Sequence, residues 1–496
     1  MRFIKYTLSF SFATLISRIL GYIRDLVIAY IFGANGLTDA FFIAWRLPNT
    51  FRQVLGEGSL NAVFIPIYKK LEREGKDTSK FANAVFTYLS VALFGITIFF
   101  VSFAPYITAV LAPGFVGEAF FDDAVNIVRL VFPYIILIGW VAFFMALLNI
   151  KGNFFLPALT PALLNISFIF SAIFLASYLD IYALVVGAIL GGVLQVLILL
   201  KPVLSFFKPK VILSFDDDIK SFFKRILPTT ASFGVTQVGF VIDTVIASMV
   251  MPGAISYLYY ANRLLQLPLG IFGIGLGNAV LVSVSNYSID EEAEKIKREL
   301  TLAVRLAVLI SIPATIGLVL LSTEIIDILF HRGKFSLQDL NQTSLAVIGL
   351  SIGLIPIIIQ KPIKSVFFSL EDVKTPLYAT TVGVLTGVIF ALFLVFVFDL
   401  GVFGLAVATS INYFVTLLYL YIFLPINIST VDILKTLYKS TISGISMGLF
   451  IFWIKSFFQD SLLIVTISIF IGSLIYFLTA LILRESSLKI IFRIRR

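Results

Sequence analysis

The chain has 496 residues, of which 59% are hydrophobic and only 13% charged, and its mean hydropathy is +1.03. Soluble domains carry about 25% charged residues, so most of this chain belongs in lipid. With no cysteine and a single histidine, His331, it excludes disulfides, thiol chemistry and a histidine metal cluster. The net charge of +9 gathers in loops on one side of the predicted spans and so implies no nucleic-acid partner.

Apolar stretches of about twenty residues, enough to cross the hydrocarbon core, recur along the chain. They predict fourteen spans, at 8–32, 39–66, 81–105, 124–149, 157–179, 181–204, 223–250, 256–286, 300–321, 342–368, 377–398, 402–424, 434–455 and 461–483. The first is read as a span and not a cleavable signal, because it is long, carries Arg18 and Arg24, and lacks a small-residue cleavage site. With the N-terminus inside, 27 of the 37 Lys and Arg fall in inside segments, Lys361, Lys364 and Lys374 among them. Three fall outside: Arg332, Lys334 and Lys455. That bias predicts both termini in the cytoplasm. Seven cations lie within spans: Arg18, Arg24, Arg46, Arg52, Arg129, Arg263 and Arg305. Of these, Arg129 and Arg305 stand near span ends, where a long side chain snorkels.

The chain also repeats itself. Asp25-Leu-Val-Ile-Ala29 in span 1 returns as Asp243-Thr-Val-Ile-Ala247 in span 7. Ala44-Trp-Arg46-Leu47 in span 2 returns as Ala261-Asn-Arg263-Leu264 in span 8, and in both a glycine follows the arginine by twelve residues and an asparagine by fifteen. Spans 1–6 and 7–12 therefore predict two bundles of equal orientation, a parallel repeat of the kind that binds substrate between halves. The fold class is an all-α polytopic membrane protein with residues 1–222 and 223–430 as six-helix bundles. Residues 431–496 form two extra helices and a basic tail.

Arg18 and Asp25, like Asp39 and Arg46, stand seven residues apart, nearly two helical turns, which predicts a shared face for each pair. A cavity lined by spans 1, 2, 7 and 8 would gather Arg18, Arg24, Arg46, Arg52 and Arg263 with Asp25, Asp39 and Asp243. Guanidinium forks bind phosphate oxygens in pairs, so the surplus of arginine points to an anionic, phosphorylated substrate. Buried pairs that lock helices together account equally well for Asp39 with Arg46. Asp243 reads as a cation site or as a partner for Arg263. Gly56, Gly58, Gly273, Gly275 and Gly277 suit a thin, movable helix but point first to close helix packing. Asp216-Asp-Asp218 suits either a metal-binding acidic cluster or the start of a helix. No phosphate-binding loop of the GK[ST] type occurs, so no ATPase is built in.

Several motifs carry a resemblance. They are Ser17-Arg-Ile-Leu-Gly-Tyr-Ile-Arg-Asp25, Phe32-Gly-Ala34, Thr38-Asp-Ala-Phe-Phe42, Leu47-Pro-Asn49, Arg52 and Glu57-Gly58. Tyr259-Tyr-Ala-Asn-Arg-Leu264, Pro268, Gly270, Gly275, Arg332-Gly-Lys-Phe335 and Asp372-Val-Lys-Thr-Pro376 continue it. Together they resemble the MurJ (MviN) family of lipid II flippases in the MOP exporter superfamily. The resemblance implies a transporter, not an enzyme. It would carry undecaprenyl-pyrophosphate-linked disaccharide-pentapeptide across the bacterial inner membrane by alternating access, for cell wall synthesis and cell shape. It implies a monomer among membrane lipids, working with the cell wall machinery. No cofactor is implied, with Na+ or H+ as a coupling ion and the membrane potential as driving force. Arg18, Arg24, Asp39, Arg52 and Arg263 match positions important in the family, and Arg24, Arg52 and Arg263 match the arginines thought to hold the pyrophosphate. Gln53, Asn262 and Gln266 depart from some members. Asp243 matches a sodium ligand of one branch, although span 11 carries no acidic residue. The alternatives are a flippase for another undecaprenyl-pyrophosphate-linked saccharide, a drug exporter, or a membrane glycosyltransferase.

Overall fold

A lipid-embedded backbone has to satisfy its own N–H and C=O groups, and helices do so within each segment. The computed structural model describes residues 2–52, 60–285 and 289–488, and among them no strand occurs. The helices through the first half are α1 (Arg2–Phe32), α2 (Gly36–Arg52), α3 (Leu60–Arg73), α4 (Thr78–Ser102), α5 (Ala104–Leu111), α6 (Phe121–Val131), α7 (Tyr134–Ile150), α8 (Phe155–Leu179), α9 (Tyr182–Val203) and α10 (Asp217–Ser248). The second half holds α11 (Ala254–Pro268), α12 (Ile274–Val284), α13 (Ile289–Leu320), α14 (Ser322–Phe330), α15 (Leu337–Ile352), α16 (Leu354–Ser369), α17 (Lys374–Phe396), α18 (Gly401–Ile422), α19 (Thr430–Phe457), α20 (Ser461–Ile467) and α21 (Ser473–Ile482).

All fourteen predicted spans meet helices. Among the described residues, ten candidate spans are long and apolar enough to cross a membrane without a break, and an eleventh is the pair α15–α16, bent by 42°. The remaining spans correspond to α1, to α2 with α3, and to α10. Proline and glycine explain the interruptions. Pro133 divides α6 from α7, Gly353 divides α15 from α16, and Pro268 precedes a π-helical turn, Leu269–Gly273, inside span 8. Gln53, Gly56, Glu57 and Gly58 lie outside the described residues.

The chain forms two compact units. Unit 1 comprises Met1–Ser256 with Arg332–Phe335, and unit 2 comprises Tyr257–His331 with Ser336–Arg496. The repeat is visible in how each packs. In unit 1, α8 packs on α9, α7 on α9, α4 on α7 and α3 on α7. In unit 2 the corresponding pairs are α17 on α18, α16 on α18, α13 on α16 and α12 on α16. The triplet Asp216-Asp-Asp218 opens α10. The Asp216 carboxylate accepts the Ile219 N–H, the other two acids fill the first turn, and Lys80 pairs with Asp216 at 3.2 Å. Two glycines make one close crossing in unit 1. Lys334 donates its N–H to the Tyr30 carbonyl at 2.8 Å. Gly33, at φ +70°, leaves no room for a Cβ, which would stand 2.6 Å from the Lys334 carbonyl oxygen, and Gly333 is left-handed too.

Candidate functional site

In unit 1 the third turn from the end of α1 carries Arg24 and Asp25, both buried, at 8% and 1% exposure. Arg24 donates through Nε and Nη2 to the Asp25 Oδ1, at 2.9 and 2.7 Å, and through Nη1 to the Asn165 Oδ1 of α8 at 3.1 Å. Asn165 in turn donates to the Ser17 carbonyl at 3.0 Å, which ties α8 to α1. The Arg24 guanidinium stands over the Phe168 ring, 5.6 Å from its centre. Trp45 of α2 packs on both Phe168 and Tyr134, so the arginine rests on an aromatic floor. Tyr134 lies within electrostatic reach of Arg24 and of Arg52 and donates to Gln195 at 3.4 Å. Arg52, in the last turn of α2, donates Nε to Asn49 at 3.1 Å. Two of the predicted arginines are thereby gathered around one phenol.

The two pairs that spacing places on shared faces do not form ion pairs. Asp25 pairs with its neighbour Arg24, whereas Arg18 is exposed. A guanidinium has enough reach to fold back on the adjacent residue, so i,i+1 neighbours meet despite their divergent Cα–Cβ bonds. Asp39 is fully buried but does not pair with Arg46. Its carboxylate accepts the N–H groups of Gly253 and Ser256, at 2.7 and 2.8 Å, together with the Ser256 hydroxyl. It therefore caps the first turn of α11, where unsatisfied N–H groups and the helix dipole favour a carboxylate. Arg46, half-buried on α2, instead lies in electrostatic reach of Asp243 on α10. Among the described residues no group of three or more His, Asp or Glu is placed to hold a metal.

In unit 2, Arg263 is half-buried on α11. It donates Nη2 to the Tyr259 hydroxyl at 2.7 Å, one turn back, and stands 5.1 Å from that ring's centre. Below it the span passes through the π-helical turn into α12. Such turns widen a helix locally and concentrate at functional sites. Neither of the two arginines near span ends belongs to these groups. Arg129 is held by Asn126, and Arg305 by Thr436, Glu485 and Ser486. Sequence reasoning passed over Asn165, Phe168 and Tyr134. The signal for Asn165 was one amide in an otherwise apolar span; the two aromatics gave none, because phenylalanine and tyrosine are common throughout the spans.

The profile of the family described as Lipid II flippase MurJ matches residues 28–473. The chain is 34% identical over 486 residues to a probable lipid II flippase MurJ of Aquifex aeolicus (strain VF5), covering 97% of this chain and 95% of the relative. The chain belongs to the MurJ family of lipid II flippases. A probable MurJ of Thermotoga maritima is 28% identical over 99% of both chains. A solved MurJ, described as a lipid II flippase in an inward closed conformation, superposes with a TM-score of 0.84 at 29% identity, over 98% of this chain and 99% of that one. An inward-facing multidrug MATE transporter of the MOP superfamily shares the fold at TM-score 0.68 and 15% identity.

Proposed function

We propose that this chain carries lipid II from the inner to the outer leaflet of the bacterial cytoplasmic membrane by alternating access, as a transporter and not an enzyme. The observation that carries the reading is the match to MurJ along nearly the whole chain; the burial of Arg24 and half-burial of Arg52 and Arg263 among aromatic and amide groups support the choice of these three. In this reading Arg24, Arg52 and Arg263 hold the pyrophosphate, with Arg18, Asp25 and Arg46 shaping the surrounding charge. Asp39 acts indirectly, by fixing the first turn of α11 ahead of Arg263. The isoprenoid tail stays in lipid, and both termini face the cytoplasm, as the distribution of lysine and arginine requires. The chain works as a monomer beside the cell wall machinery.

The membrane potential is the proposed driving force. Outward movement of an anion across an inside-negative membrane gains about 2.3 kcal/mol per charge per 100 mV. A cation, Na+ or H+, at Asp243 biases one state if its affinity differs between the two. Arg46 lies in electrostatic reach of that carboxylate, and span 11 carries no acidic residue to complete a cation site, which supports a modest role: Asp243→Asn weakens transport, whereas collapse of the potential stops it. The test of the site is complementation of a flippase-depleted strain. Arg24→Ala, Arg52→Ala and Arg263→Ala each insert in the membrane but fail to support growth, and full growth with all three overturns the assignment. Binding of lipid II compared with other undecaprenyl-pyrophosphate saccharides by the purified chain separates this reading from its nearest alternative.

A further inference from the structure

Two lysines counted with the inside segments fall within predicted span 10 and stand on a membrane-spanning helix. Lys361 and Lys364 stand on α16, which continues five residues beyond Lys364 to Ser369, and both are half-buried. The stem of Lys361 lies along the glycine face of span 8. A Cβ at Gly277 would stand 3.3 Å from the Lys361 Cβ, and one at Gly273 would stand 3.5 Å from its Cγ. Lys364 stands one turn further on, where its Nζ meets the Thr380 Oγ1 of α17 at 3.4 Å. Among the described residues neither lysine has a carboxylate partner. Three other part-buried cations of unit 2 do have carboxylate partners: Arg305 and Lys439 with Glu485, and Lys455 with Glu324.

Two like charges one helical turn apart repel, and burial strengthens the repulsion. Helix association gains nothing from such a pair, so its presence calls for an anion that comes and goes. The chemistry of that anion follows from distance. Arg263, Gly273 and Gly277 share span 8, and ten to fourteen residues at 1.5 Å each put the lysine level about 15–21 Å along the span from Arg263. An extended five-residue peptide reaches at most about 17 Å.

We propose that Lys361 and Lys364 bind the carboxylates of the substrate's peptide stem while its pyrophosphate sits on the arginines, which makes them specificity-determining residues. This rests on the assignment of Arg263 to the pyrophosphate.

The experiment measures binding of three lipids to the purified full-length chain: undecaprenyl pyrophosphate, lipid II, and lipid II with its peptide carboxylates amidated. The unsubstituted chain prefers free carboxylates. The double variant K361Q/K364Q loses that preference, binds lipid II about tenfold or more weakly, and binds undecaprenyl pyrophosphate as before. K361R/K364R retains the preference. Equal weakening toward lipid II and undecaprenyl pyrophosphate, or unchanged binding of lipid II, overturns the proposal. It is also overturned if the loss follows phosphatidylglycerol binding in vesicles and not amidation, since the lysines would then hold a phospholipid headgroup. A glutamine variant with a lowered melting temperature, or too unstable to purify, would make the lysines structural and overturn it too; removal of unmatched cations leaves stability equal or higher. The R263A variant separates this proposal from the reading beneath it. If R263A binds undecaprenyl pyrophosphate normally, the arginine assignment fails, whereas the response to amidation tests the lysines alone.

Discussion

Arg24 with Asp25 in unit 1 and Arg305 with Glu485 in unit 2 are both buried arginine–carboxylate pairs with a 2.7 Å contact, yet they are built differently. Arg24 pairs with its own neighbour on one helix, and its contacts across to α8 are the Asn165 amide and the Phe168 ring. Arg305 joins α13 to residues 180 positions away, beyond α21, and also donates to Thr436 of α19. Glu485 Oε1 accepts from Thr436 and from the N–H and hydroxyl of Ser487 as well. A buried charge pair that spans three elements acts as a lock. One confined to adjacent residues leaves the guanidinium held by a neighbouring carboxylate and a neutral amide above an aromatic floor, which suits an incoming anion better than a cross-helix lock does.

The comparison breaks most visibly at the lock. Arg305→Ala leaves Glu485 buried without its guanidinium and is expected to cost about 3–5 kcal/mol of stability. Thermal melting checks this, and the fraction that remains folded should bind lipid II with unchanged affinity. Next comes the open pair. Arg24→Lys keeps the charge but loses the fork, and is expected to weaken lipid II binding by about 1.5–3 kcal/mol with a smaller melting shift than Arg305→Ala. Equal melting losses in the two variants would mean that Arg24 is a lock as well. Asp39→Ala strips the first turn of α11 of its acceptor and should cost about 1–3 kcal/mol. Asp39→Asn, which retains one carbonyl oxygen, should recover part of that in the same melting assay. The smallest effect belongs to an exposed cap. The Thr375 hydroxyl and N–H hold the Asp372 carboxyl below the usual carboxylate range, with help from the Lys374 N–H. Its stabilisation of α17 is therefore complete above about pH 4 and fades as pH falls through the lower, folded value. Asp372→Asn should flatten that part of the stability–pH curve, and an unchanged slope would count against the cap.

Reading the chain from its residues succeeds where one helix decides the outcome and stops where two must meet. Fourteen apolar stretches were legible because length and hydropathy are local. The repeat was legible because its spacing of twelve and fifteen residues survives in both halves. The pairing of Asp25 with Arg24 was not, because periodicity describes where Cα–Cβ bonds point and a long guanidinium reaches past that. Spacing left open whether Asp39 pairs with Arg46, and its actual partners were hidden for a further reason. Its partners, Gly253 and Ser256, lie more than two hundred positions away and offer backbone N–H groups, which no residue pattern advertises. Lys361 and Lys364 were counted with the inside segments although span 10 contains them, because a basic residue near the end of a span looks the same to a charge count whether it faces water or a glycine-lined helix.

By itself, then, the amino-acid order determined an all-helical membrane protein, its doubled bundle and an excess of intramembrane arginine, all of which follow from the cost of putting charge and open backbone into hydrocarbon. Only the tertiary structure decided which charges are spent on the fold and which are not. Whether an arginine is locked, as Arg305 is, or poised, as Arg24 is, depends on the carboxylates and amides that other helices bring to it, and those arrive through packing over distances that no local pattern encodes.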